Sequence, residues 1–89
     1  MTKKKLSQLS RGEQGIVESV LAGPELTEQL LELGIGPGEP IAMIGQSPFG
    51  DPVIIGLLNY RLSIRKSEAE RILLRDVETT PAGNGTSHA

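Results

Sequence analysis

Glu25, Glu28 and Glu32 recur at i, i+3 and i+7, a spacing that lines carboxylates along one flank of a helix. Such a row could share iron or magnesium, but hard cations need more convergent oxygens than one flank supplies. The row therefore reads as a solvated face, with Glu25 favoured by the positive end of the helix dipole. A second chemistry is suggested by Gly34, Gly36 and Gly38 in the stretch LGIGPG, since glycine-rich loops can cradle phosphate. That device runs strand, glycines, helix, so that the helix N-terminus faces the anion. Here the order is helix, glycines, strand, which presents the negative end instead. The glycines are structural: Gly34 ends the helix in the left-handed conformation, and Pro37-Gly38 fills the centre of a type II turn.

Nucleophiles and bases are scarce. There is no cysteine, and the single histidine, His88, lies in a C-terminal stretch without periodicity. Asp51, between Gly50 and Pro52, reads as turn chemistry rather than a catalytic acid. The sequon Asn84-Gly85-Thr86 carries no meaning without secretion. No catalytic residue, cofactor site or metal site is assigned, and the chain is not expected to be an enzyme. A further chemistry is cationic, because Arg61, Arg65, Lys66, Arg71 and Arg75 fall within one short segment. They could grip an RNA or ribosomal backbone. Against this stand a net charge of -2, a pI near 5.3 and only two aromatics, Phe49 and Tyr60, on which bases could stack.

The elements that must position these residues belong to one small domain, since 89 residues allow a single core. Residues 15–22 read as a β-branched strand and 23–34 as a helix, with Pro24 at its first position and Leu26, Leu30 and Leu33 on one stripe widened by Leu31. Strands follow at 40–46, 52–58 and 60–65. Ser67 and Glu70 have capping-box spacing, which predicts one helical turn before a last strand at 71–77. Residues 1–77 form the domain, and 78–89 are expected to be a disordered tail. The lysine-rich start lacks the apolar run of a signal peptide, and no apolar stretch is long enough to span a membrane. A soluble cytoplasmic protein is the expectation.

The segment 52–65 predicts a hairpin turning at Asn59-Tyr60, with Leu58 opposite Arg61 and Ile55 opposite Ile64. Its inner face would carry Val53, Ile55, Leu57, Leu62 and Ile64. Its outer face would carry Ile54, Gly56 and Leu58 beside Arg61, Ser63 and Arg65. Ile54 and Leu58 rimmed by Arg61 and Arg65 have the make-up of a partner-binding patch, apolar at its centre and polar at its edge.

The pattern L..LG.GPG..I, followed by SPFGDPVII and NYRLSIRKSEAERILL, resembles the FeoA family of ferrous iron transport proteins, from about Leu6 to Leu74. The resemblance implies a mainly β fold: a small SH3-like barrel of about five strands, one helix after the first strand and one helical turn before the last. It also implies a cytoplasmic accessory protein that binds FeoB, the membrane ferrous iron transporter with a GTPase domain, and is held at the inner membrane through that partner. Asn59 stands where the family often has glycine, and asparagine tolerates the left-handed region the turn would need. Two functions follow, a transporter accessory module with weak self-association or an RNA-binding module using 61–75. The acidic balance favours the first, without nucleic acid and without membrane insertion.

Overall fold

The computed structural model describes residues 2–79. Along the chain run β1 (Lys4–Lys5), a 3-10 turn (Leu6–Gln8), β2 (Glu13–Val20), α1 (Pro24–Glu32), β3 (Pro40–Gln46), β4 (Val53–Gly56), β5 (Arg61–Ile64), α2 (Lys66–Ala69) and β6 (Ile72–Thr79). The strands form one antiparallel sheet in the order β1-β6-β2-β3-β4-β5. Six strands replace the expected five, because Lys4 and Lys5 pair with Leu74 and Leu73. The sheet is not closed: β1 and β5 are its two edges. Register shifts in β2 and β3 insert bulges, which bend and twist the sheet around one core.

Period-two alternation places Ile41 and Met43 of β3, Val53 and Ile55 of β4 and Ile72 and Leu74 of β6 on the inner face, all buried. Leu6 and Leu9, three residues apart in the N-terminal turn, close the same core. No polar or charged residue among those described is buried.

α1 starts with Pro24 at its first turn, where the missing N–H costs nothing. It ends when the Ile35 amide donates to the Leu30 carbonyl (2.8 Å) and the Gly34 amide to Leu31 (3.0 Å), with Gly34 at φ 95°. This early stop corrects the leucine stripe. Leu30 and Ile35 are buried, but Leu31 and Leu33 face solvent. Ile35 takes over the burial expected of Leu33, because the left-handed residue turns the chain back onto the core.

Other boundaries shift for identifiable reasons. β2 begins at Glu13, whose carboxylate accepts the Ser10 amide (2.7 Å) and the Lys4 ammonium (3.1 Å), tying the N-terminal segment to the sheet. β6 extends through Thr79, opposite Glu13, so the expected tail boundary at 78 is too early. The rest of the expected tail, with Asn84 and His88, lies outside the described residues. α2 is capped not by Ser67 and Glu70 but by Arg65 and Glu68, whose Oε1 accepts the Arg65 amide at 3.0 Å. The Lys66 amide donates to Asp51 Oδ1 at 3.0 Å, and this contact across fifteen residues fixes the start of the turn.

Candidate functional site

The β4–β5 hairpin pairs Val53 with Ile64, Ile54 with Ser63, Ile55 with Leu62 and Gly56 with Arg61. The Leu57 amide donates to the Tyr60 carbonyl at 2.8 Å, so the turn centres on Leu58-Asn59, not Asn59-Tyr60. The expected pairs slip by two residues, and a slip of two keeps every side chain on its face. Val53, Ile55 and Ile64 are buried, Leu57 and Leu62 pack partly against the core, and Ile54 and Gly56 are half-buried on the outer side. Asn59 keeps negative φ. The one non-glycine residue described with positive φ is Asp76, in β6.

Leu58 is 78% exposed at the hairpin tip, and Arg61 and Arg65 are exposed on the outer side. Leu58 and Arg61 line a groove of about 510 Å³ with Gly56, Ala42, Ile44 and Pro40. Its concavity comes from Gly56, where an added Cβ would meet Ile44 Cδ1 at 3.1 Å. Ile54 does not line that groove. It borders a second hollow of about 310 Å³ with Ile44 and Arg11. The outer face thus carries two depressions, both bordered by Ile44.

Sequence reading passed over Pro40, Ala42 and Ile44, although the alternation of PIAMIGQ carries that signal: with Ile41 and Met43 inside, Ala42 and Ile44 face out. It read Tyr60 as an aromatic and a turn residue and missed its contact with the helix. Its hydroxyl donates to the Leu33 carbonyl, tying the α1 C-terminus to the hairpin and satisfying a carbonyl the helix leaves free. Exposed Leu31 and Leu33 sit on the helix side of this tie, and Leu58 on the hairpin side.

The expected turn residues sit as follows. Gly38 has φ 93° and its amide donates to the Val17 carbonyl, while Glu39 closes the turn around Pro37-Gly38 onto Gly36 at 3.1 Å. Gly50 has φ 83° and bonds Ser47 at 2.8 Å, in a loop that leaves Phe49 96% exposed. Glu25, Glu28 and Glu32 are exposed, and among the described residues no three His, Cys, Asp or Glu side chains could hold a metal ion. The Glu13 carboxyl is held below the ordinary carboxylate value by the Ser10 amide and then by Lys4. The five basic residues of 61–75 are divided. Arg71 donates to the Leu21 carbonyl (3.5 Å) and Arg75 to that of Val17 (3.4 Å), both away from β5.

Comparison with known proteins gives consistent results. The family model of the FeoA domain matches residues 4–76. An Fe(2+) transport protein A/Fe(2+) transporter FeoB fusion protein of Porphyromonas gingivalis is 27% identical over 84 residues, covering 90% of this chain. The chain spans only 10% of that relative's length. The solution structure of a FeoA-like protein from Clostridium acetobutylicum superposes with a TM-score of 0.75 at 32% identity, covering 89% of this chain and 90% of that one. Zinc-complexed FeoA of Stenotrophomonas maltophilia, described as a prokaryotic SH3 domain protein, gives 0.72 at 29% identity, covering 89% and 98%. The mainly β fold is therefore SH3-like, with its sheet left open.

Proposed function

This chain belongs to the FeoA family, and on that premise we propose that it is an accessory module of ferrous iron uptake that binds an FeoB-type transporter and modulates its GTPase. The observation that carries this reading is the Porphyromonas relative, whose name joins a transport protein A and a transporter FeoB in one polypeptide. In that relative, fusion holds the two modules at an effective concentration of about millimolar; a module on a separate chain has no such tether and needs a surface of its own. The outer face of the β4–β5 hairpin suits that task. It has an apolar centre of Ile54 and Leu58 and guanidinium groups of Arg61 and Arg65 at its rim.

The contribution is binding, not catalysis. On this reading the chain works in the cytoplasm and reaches the inner membrane through its partner. No helix among the described residues is long and apolar enough to cross a membrane, in keeping with that arrangement. Ferrous iron uptake by cells lacking this chain tests the proposal. Wild type should restore uptake and Leu58→Asp, folded by circular dichroism, should not; equal restoration by both would remove this face as the interface.

A further inference from the structure

The geometry points to the open edge of β5 as the place where the partner adds an extended segment as a further strand. We infer that this segment carries carboxylates four residues apart, separated by apolar residues at alternate positions. The inference rests on the docking reading, since Arg61 and Arg65 belong to both, and narrows it from a face to an edge.

Antiparallel ladders alternate bonded and non-bonded pairs. Because Leu57 and Tyr60 bond through their main chains, Ile55–Leu62 and Val53–Ile64 are the bonded pairs of the hairpin. The N–H and C=O groups of Arg61 and Ser63 consequently point away from β4. β5 ends the sheet, and no hydrogen bond among the described residues takes up these groups. An unpaired edge is a template for a further strand. What blunts this one is its shortness and two arginines.

Those arginines state what the strand should look like. Arg65 is extended (φ -72°, ψ 147°), so Arg61, Ser63 and Arg65 share the outer face, with the two arginines about 13 Å apart along the strand. Both are exposed, and neither has an ion-pair partner among the described residues. On the inner side Leu62 is half-buried and Ile64 buried. An added strand thus needs carboxylates opposite Arg61 and Arg65 and apolar side chains opposite Leu62 and Ile64. A second copy fits poorly: antiparallel β5 edges centred on Ser63 would set Arg61 against the other copy's Arg65, a like-charge pairing. Residues 80–89 contain no Asp or Glu and cannot supply the carboxylates.

The probe is the peptide acetyl-Glu-Val-Thr-Val-Glu-amide, titrated into the isotopically labelled full chain. Shifted and slowly exchanging amides at Arg61 and Ser63 are expected. A peptide with lysines for the glutamates should bind about tenfold more weakly, from two reversed cross-strand pairs. Methylating the threonine nitrogen should abolish binding, because that amide faces β5, whereas methylating a valine nitrogen should not. Ser63→Pro removes an edge N–H where proline is tolerated and should also abolish it. Arg61→Glu with Arg65→Glu, which leaves the backbone untouched, should reverse the charge preference.

Equal binding of the threonine-methylated peptide, shifts centred on the Gly56 groove, or occupation of the edge by a second copy would each overturn the inference. The two readings also separate in co-purification with the transporter. Loss with Leu58→Asp but retention with Ser63→Pro overturns the edge and leaves the docking face. Loss with Ser63→Pro but retention with Leu58→Asp, together with peptide pairing at Arg61 and Ser63, upholds the edge and removes the docking face.

Discussion

Gly34 and Gly38 hold φ values of 95° and 93°, a region where side chains with a Cβ are strained. At Gly34 an added Cβ would also meet the Tyr60 hydroxyl at 3.1 Å, while Gly38 has open space around it. Valine at either position should cost about 1–3 kcal/mol, with the larger loss at Gly34. Thermal unfolding checks this, and unchanged melting of both variants would contradict the turn geometry. Glu13 sets a pH dependence. Its folded pKa lies below the ordinary value, so its contribution is present above the carboxylate range and lost as pH falls through the lowered pKa. The stability gap between wild type and Glu13→Gln should be open at neutral pH and close in acid. A gap that widens on acidification would have the wrong sign.

At the scale of elements, the hairpin gives the sharpest test of facing. Ile55 is fully buried and Ile54 half-buried on the outer side. Ile55→Asp should unfold the domain, because an unpaired buried charge costs several kcal/mol. Ile54→Asp should fold, as circular dichroism would register; the opposite pattern would mean that the faces are inverted. Helix α1 and strand β3 were legible because Pro24 marks a helix start and PIAMIGQ alternates with period two. The faces of β4 and β5 were legible even with the turn misplaced, because a two-residue slip preserves them. The cap of α2 was not: Asp51 fixes it from fifteen residues away, and local spacing favoured Ser67. Nor was the tie from Tyr60 to Leu33, which joins elements 27 residues apart. The N-terminal turn offered only Leu6 and Leu9 as a signal, too few for a period to register. Of the proposed docking face, Ile54, Leu58, Arg61 and Arg65 were readable from one strand pair, whereas the groove beside them needs β3 as a neighbour.

For the whole molecule, the same N-terminal turn completes the core of an open sheet. Leu6 is fully buried, so Leu6→Ala should cost about 2–5 kcal/mol in denaturant unfolding, and a neutral result would detach the turn from the core. Among the described residues, the outer side of β3, β4 and β5 exposes Leu58 beside an open groove, where the proposed contact with the transporter would form. The most direct measurement is titration of the full chain onto a detergent-solubilised FeoB-type transporter from the same cells, with and without a GTP analogue. Wild type should bind saturably, and Leu58→Asp, folded and equally stable, should bind at least tenfold more weakly, the loss expected when an apolar centre contact becomes a desolvated charge. Failure of the wild-type chain to bind in either nucleotide condition would contradict the account.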